Sequence, residues 1–184
     1  MNTVIILIIA AIVLLGALIA IYNKFVKLRQ HVSSGWADID VQLKRRADLI
    51  PNLVSAVKGY AAHERDLFTD IAATRGKALA AGDDTQARAA AESALSASAG
   101  RLLAVAEDYP ELKASQNFLD LQNELSETED KIEMSRRYYN GTVRNMNTAA
   151  QSFPLNIVAG LFGFNNAQYF NMDHGQRLAP SIDL

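Results

Sequence analysis

The sequence predicts an all-α protein in which an N-terminal transmembrane helix precedes a long antiparallel helical bundle with coiled-coil-like seams. Residues 4–22 contain no charged side chain. Beyond them, apolar residues recur every three or four positions, and alternation at period two never extends past a few residues. A chain of 184 residues that is 49% apolar can hold one span and one domain with a sizeable core. We assign residues 1–23 to a transmembrane anchor, 24–153 to a helical-bundle domain and 154–184 to a C-terminal cover segment.

The anchor is the first predicted element. Residues 4–22 consist mostly of Ile, Leu, Val and Ala. As a helix they extend about 28 Å, which matches the hydrocarbon core of a bilayer at about 30 Å. A cleaved signal peptide is the competing interpretation, but the apolar run is longer than a usual signal core and no Lys or Arg precedes it. We therefore favour an uncleaved anchor.

Charge placement predicts the orientation and excludes one class of partner. Lys24, Lys27 and Arg29 follow the span directly, and basic residues beside a span tend to remain in the cytoplasm. We expect the N-terminus outside and the domain in the cytoplasm. The 18 basic and 20 acidic residues are interspersed, so no basic field for nucleic acid exists. The chain has no cysteine, which excludes disulfides and thiolate sites.

The first bundle helix is predicted from a seam with alternating steps of four and three residues. No breaker separates Tyr22 from Val32, so this helix is expected to continue straight out of the membrane. Pro51 is expected to kink the helix, or to restart it with Asp48 as the N-cap. The seam consists of Val32, Trp36, Ile39, Leu43, Arg46, Ile50, Leu53, Val57, Tyr60, Glu64, Leu67 and Ile71.

A hairpin bend is predicted at residues 82–85, where Gly82 can close one helix and an Asp or Thr can cap the next. The following Ala-rich stretch carries Leu95, Leu102 and Val105 at helical spacing. Tyr109-Pro110 is expected to stop this helix, because the residue before a proline disfavours the helical conformation.

The last long helix carries large apolar residues seven positions apart, with mostly small residues between them, which predicts a coiled-coil-like packing face. With three residues of the first helix, these form the predicted helix-packing seam. Its members are Trp36, Ile39, Leu43, Phe118, Leu125, Ile132, Tyr139, Met146 and Phe153. The apolar run 155–164 either caps the bundle or enters the bilayer interface, and we favour the cap.

Sequence motifs for catalysis and metal binding are missing. The chain has no Gly-rich phosphate loop and no HExxH, and none of His31, His63 and His174 follows a Glu by three residues. We therefore expect no catalytic residue, no metal and no cofactor, and predict that the protein is not an enzyme. A hydrolase acting at the membrane is kept as a minor hypothesis, with His63 and Glu64 as its candidates.

Arg46 and Glu64 are charged members of an otherwise apolar seam, and a buried charge needs a partner. One hypothesis is a partner-binding patch around Pro51. The other is a polar layer that sets helix register, and we favour it. The acidic series Glu124, Glu127, Glu129, Asp130 and Glu133 is interpreted as a solvated surface. The partner-binding patch would consist of Arg45, Arg46, Asp48, Pro51 and Asn52.

Several motifs along nearly the whole chain resemble the LemA family. The string from Val41 to Val54, VQLKRRADLIPNLV, is similar to the signature of that family. Further similar motifs are VKGYA at 57–61, LLAVAE at 102–107, YPELK at 109–113, Tyr139-Asn140, Phe153-Pro154 and Gly163-Phe164. Met146-Asn147 departs from the family, which often has Tyr-Asn there.

The resemblance implies a bacterial protein of the cytoplasmic (inner) membrane with an N-terminal anchor and a long-helix bundle, but it supplies no reaction. One family member is associated with building magnetosome membranes, which by analogy favours a role in membrane organisation. The leading hypothesis is a non-enzymatic, self-associating scaffold whose partners are the lipid bilayer and further copies of the chain. The alternative is an adaptor or regulator of a membrane protease or transporter.

Overall fold

The computed structural model describes residues 2–172, and residues 173–184 of the predicted cover segment, with His174, lie outside the described residues. All regular secondary structure in the described part is helical, which confirms the predicted class. The helices are α1 (Asn2–Lys58), α2 (Arg65–Ala80), α3 (Thr85–Ala106), α4 (Pro110–Lys113), α5 (Gln116–Gln151) and α6 (Leu155–Phe162).

Helix α1 confirms that the first bundle helix continues directly from the apolar run of residues 4–22. It contains Pro51 without a break, so the predicted restart at Asp48 was wrong. Pro51 has no amide proton, which leaves the carbonyl of Ala47 without its helical partner. The Nε of Arg75 donates to that carbonyl instead, at 2.6 Å. An external donor thus satisfies the backbone group that the proline leaves free.

The first seam is interrupted later than expected, between Lys58 and Arg65. Gly59 follows the last residue of α1, and glycine is a poor helix former. The amides of Tyr60 and Ala61 both donate to the carbonyl of Val57, which closes the turn. Tyr60 and Glu64 are therefore exposed turn residues, and their assignment to a continuous helical seam was wrong.

The α2–α3 hairpin lies at the predicted residues. Gly82 has φ +61°, a left-handed conformation that glycine adopts at little cost. Asp84 is the N-cap of α3, and its carboxylate accepts from the amides of Gln86 and Ala87 at 2.9 Å each. Helix α3 ends at Ala106, before Tyr109-Pro110 as expected, and the short helix α4, which was not predicted, begins at Pro110.

The chain divides into two compact units. One comprises residues 2–37 with 137–169, and the other comprises 38–136 with 170–172 of the described residues. The second unit holds the larger apolar core, to which α1 to α5 all contribute. Its buried members are Ile50, Leu53, Val57, Ala61, Ile71, Ala78, Leu95, Ala99, Leu102, Ala106, Leu112, Phe118 and Leu125.

The first unit has its own small core, directly after the apolar run of residues 4–22. Phe25 is fully buried there and stacks on Phe164, with ring centroids 4.8 Å apart. Ala149 of α5 and Ala159 of α6 complete the buried cluster. Gly35 of α1 lies against Tyr139 of α5 so closely that a built Cβ would be 3.2 Å from the Tyr139 Cα.

The predicted packing seam is buried with two exceptions. Trp36 is half-buried, and its ring contacts that of Tyr139 at 5.5 Å. Phe153 is 80% exposed because α5 ends at Gln151, so including Phe153 in the seam was wrong. The buried members are Ile39, Leu43, Phe118, Leu125, Ile132, Tyr139 and Met146.

Candidate functional site

The polar centre of the second unit is Arg46, which is 0% exposed although it carries a permanent charge. It lies on the apolar face of α1, between the buried side chains of Leu43 and Ile50. The helical period therefore directs its guanidinium into the bundle. A buried arginine is tolerated only where carboxylates and other acceptors surround it.

Glu92 of α3 supplies the main partner. Its Oε2 accepts from Nη2 of Arg46 at 2.5 Å, and its backbone carbonyl accepts from the same nitrogen at 3.1 Å. Glu129 of α5 accepts from Nη1 at 2.9 Å, and the hydroxyl of Ser96 accepts from Nη1 too. Arg46 thus joins three helices that are far apart in the chain.

Arg88 extends the cluster along α3. Its Nε donates to Oε1 of Glu92 at 3.0 Å, so both carboxylate oxygens of Glu92 are occupied. Its Nη2 donates to Asp40 of α1 at 2.9 Å. We call the alternating series Asp40, Arg88, Glu92, Arg46 and Glu129 the buried charge cluster.

The cluster runs from solvent through the core and back to solvent. Its two ends are the more exposed members, with side chains 53% exposed at Asp40 and 32% at Glu129. Glu92 and Arg46 between them are almost fully buried. Breaking such a pair by removing one partner costs about 3–5 kcal/mol, because an uncompensated charge remains inside. The arrangement therefore ties the register of α1 to those of α3 and α5.

One donor of the cluster stays unused. Nε of Arg46 is buried without a hydrogen-bond partner among residues 2–172, and so is Oε1 of Gln42, one turn earlier on α1. Both are side-chain atoms, and each lies inside the bundle with its hydrogen-bonding capacity unused by the described protein atoms.

Sequence reasoning identified Arg46 but missed Arg88 and Glu92. The signal that could have found them is the spacing of α3, in which steps of four and three place them on the same seam as Leu95, Ala99 and Leu102. The interpretation of Glu129 as a solvated charge was wrong, because it reaches Arg46.

The predicted partner-binding patch is divided by the structure. Arg46 lies inside, whereas Asp48, Pro51 and Asn52 lie at the surface. Arg45 is half-exposed and pairs with Glu124 at 2.9 Å. Asp48 is 62% exposed, and its nearest cation is Arg75 at 3.9 Å. A docking role for the four outer residues stays a prediction.

Further ion pairs lie at the surface, outside the buried charge cluster. Lys131 donates to Glu127 at 2.7 Å, and this hydrogen bond and charge lower the pKa of the Glu127 carboxyl. On α2 and α3, Asp70 pairs with Arg101 at the edge of an open depression of about 520 Å³ that Glu64 also lines. Among the described residues, no group of three His, Asp or Glu side chains could hold a metal ion.

Comparison with known proteins identifies a family that matches most of the chain. The model of the LemA family matches residues 35–184. Magnetosome protein MamQ of Magnetospirillum gryphiswaldense is 25% identical over 175 residues, which cover 82% of this chain and 64% of that protein. Magnetosome protein MamQ 2 of Paramagnetospirillum magneticum is 24% identical over 188 residues, with 89% and 69% covered.

A third relative is protein LemA of Metamycoplasma hominis. It is 25% identical over 156 residues, which cover 85% of this chain and 71% of that protein. The chain spans less than two thirds of the length of the first MamQ relative. None of these names specifies a reaction.

Proposed function

Because the chain belongs to the LemA family, we propose that it is a non-enzymatic, membrane-anchored scaffold that self-associates and organises membranes or membrane-protein assemblies. The observation that carries the proposal is the start of α1. This helix is long and apolar enough to cross a membrane, and its apolar stretch is not buried against any other part of residues 2–172. A helix of this kind needs lipid or other spans around it.

Small residues on the span support self-association. A Cβ built on Gly16 meets no atom within 4 Å, and Ala20 follows four residues later on the same face. Small residues four apart let two transmembrane backbones approach closely, which favours helix pairing in lipid. The magnetosome names of two relatives agree with a role in membrane organisation.

The test is the mass of the full chain in detergent and in nanodiscs over a range of concentrations. We expect particles with more than one chain, and Gly16→Leu to shift them toward the monomer. Ala11→Leu is the matched control, because Ala11 lies about 140° around the helix from Gly16. A strict monomer at every concentration contradicts self-association.

We also propose that the chain acts without catalysis. His63 and Glu64, the best candidates for a hydrolase, are exposed turn residues. The buried ionisable groups Arg46, Arg88 and Glu92 are engaged with one another. The double variant His63→Ala, Glu64→Ala should support a strain lacking the native copy as well as the unchanged chain does. Failure to do so would favour the hydrolase.

The alternative is an adaptor or regulator of a membrane protease or transporter. It uses the exposed surface of Asp48, Pro51 and Asn52 beside half-exposed Arg45. A photo-crosslinker at Asn52 separates the two proposals: capture of a single different membrane protein favours the adaptor, and capture of further copies of the chain favours the scaffold.

We propose that the protein resides in the bacterial inner membrane with its N-terminus outside and its domain in the cytoplasm. Lys24, Lys27 and Arg29 support this orientation. The chain has no cysteine, so Asn2→Cys and Ser55→Cys can each be labelled alone with an impermeant maleimide. In intact cells we expect labelling at position 2 and not at 55. The opposite pattern reverses the topology.

A further inference from the structure

Helix α6 presents an apolar face that no other residue of the described range 2–172 covers. Val158 and Ala159 are buried, but Ile157 is 62% exposed and Leu161 70% exposed. These two exposed residues are four apart and therefore share one face. Phe153 and Phe162 add further exposed apolar surface at the two ends of the helix. Large exposed apolar patches mark contacts with proteins or membranes.

The exposed face belongs to a firmly positioned segment. The buried side packs in the small core that contains Phe25 and Ala149. After α6, the chain is held to α5 by Asn147, whose amide group donates to the Ala167 carbonyl at 3.0 Å and accepts from the Ala167 amide at 2.8 Å. Tyr139 also donates to the Gln168 carbonyl at 2.8 Å. The apolar face is therefore held outward by contacts on both sides of the helix.

The position of α6 along the span identifies what covers this face. The ring of Phe162 contacts that of Tyr22, the last residue of the apolar run, with centroids 5.0 Å apart. Phe164 contacts Tyr22 at 5.6 Å. The C-terminal end of α6 therefore lies at the level where the span leaves the hydrocarbon. Aromatic residues such as Tyr22 are typical of this interfacial level.

Charge supports the same position. Residues 151–172 contain no charged side chain, so no charge in this segment opposes insertion between lipids. The cations Lys24, Lys27 and Arg29 are exposed on α1 just beyond Tyr22, where lipid phosphates lie. The guanidinium of Arg29 is 5.5 Å from the ring centre of Phe164. Apolar groups and cations thus occur at the depths where acyl chains and anionic headgroups occur.

We infer that α6 lies in the membrane interface beside the span, with Ile157 and Leu161 among the acyl chains and Lys24, Lys27 and Arg29 among anionic headgroups. The inference rests on the proposed function in one respect, that α1 crosses the membrane. This second membrane contact restricts rotation of the chain about its span. It also makes the position of the first unit depend on the charge of the lipid headgroups.

Spin labels on the full chain test this placement. Because the chain is free of cysteine, Leu161→Cys, Leu14→Cys and Val41→Cys each give one labelled site. Val41 is the matched control, since it is apolar and 62% exposed like Ile157 but lies on α1 far beyond the span. The labelled proteins are placed in vesicles of phosphatidylcholine, with and without phosphatidylglycerol. The collision rates with oxygen and with a water-soluble nickel chelate are then measured.

We expect the label at 161 to collide with the nickel chelate several-fold less than the label at 41, and to be deepest in vesicles with phosphatidylglycerol. Ile157→Glu should return the label at 161 to water.

Other outcomes contradict the inference. If the labels at 161 and 41 are equally accessible to the nickel chelate while the label at 14 is in lipid, the inference fails and the proposed anchor stands. If position 14 is also in water, both fail. Spin–spin broadening at 161 that rises with the protein-to-lipid ratio would assign the face to a second copy and overturn the inference.

Discussion

The Nε of Arg75 donates a 2.6 Å hydrogen bond to the carbonyl oxygen of Ala47, the acceptor that Pro51 deprives of its helical amide. A proline inside a helix removes one backbone hydrogen bond, and here a cation on α2 replaces the missing donor. The contact links α1 to α2 at the point where the proline leaves α1 one hydrogen bond short.

This relationship predicts a specific non-additivity. Arg75→Met should lower the free energy of unfolding by about 1.5–3 kcal/mol, because a hydrogen bond from a charged group to a part-buried carbonyl is lost. In a Pro51→Ala background the new amide of residue 51 supplies Ala47 with a donor, so Arg75→Met should cost much less. Chemical denaturation of the full chain in detergent, followed by circular dichroism, measures both.

Lys77→Met is the control for removing a cation from α2, since Lys77 is exposed. It should change stability by less than about 0.5 kcal/mol. Equal costs of Arg75→Met in the two backgrounds would mean that the proline and the arginine are not coupled.

The buried charge cluster predicts a large cost at Arg46. Arg46→Met leaves the carboxylate of Glu92 buried with one cation fewer and should destabilise the fold by about 3–5 kcal/mol. Arg45→Met, which removes a half-exposed pair with Glu124, should cost less than about 1 kcal/mol. Thermal and chemical unfolding of the two variants distinguish a structural arginine from a surface one.

The combined variant Arg46→Met, Glu92→Leu tests whether the stability lost in Arg46→Met comes from the unpaired carboxylate of Glu92. It should recover part of the stability lost in Arg46→Met, because no unpaired buried carboxylate remains at position 92. A stable Arg46→Met protein that has lost only binding to a partner would instead favour the docking hypothesis for this residue.

Gly35 predicts a steric effect between α1 and α5. A Cβ at this position lies 3.2 Å from the Tyr139 Cα, a backbone atom that cannot move alone. Gly35→Ala should therefore lower stability by about 1–3 kcal/mol despite the better helix propensity of alanine. Gly76→Ala on α2 is the matched control, as nothing lies within 4 Å of its Cβ. It should raise stability by up to about 1 kcal/mol, and a gain in both variants would refute the close approach.

The cap of α3 predicts a smaller, local effect. Asp84→Ala removes the acceptor of two backbone amides and should cost about 1 kcal/mol. Asp84→Asn should retain most of the stability, because asparagine caps as well as aspartate. Asp83→Ala, one residue earlier and exposed, is the control. Similar losses from both alanine variants would mean that the charge near the helix, and not the cap, is responsible.

Local signals carried most of the correct predictions. The α2–α3 bend and the end of α3 follow from Gly82, Asp84 and Pro110, whose conformational preferences act within a few residues. The errors arose where packing outweighed local preference. Pro51 did not restart α1. The chain instead turns after Lys58, and this turn brings Ala61 and Ile71 into one core.

The candidate site shows the same division. Arg46 stood out because a charge occupied an apolar seam, but its partners Glu92 and Glu129 are 46 and 83 residues away in the chain. Sequence spacing on one helix cannot identify which other helices meet it. Helix α6 was likewise missed, since a run of eight residues interrupted by Gly160 has a weak helical pattern.

The sequence by itself determined that the chain is helical and that residues 4–22 form a candidate membrane span, because helical period and hydropathy are properties of contiguous residues. Only the tertiary structure decided that Arg46 is held by Glu92 and Glu129, and that Phe162 rests on Tyr22 at the end of the span. Those contacts join residues distant in the chain, and they exist only once the helices have packed.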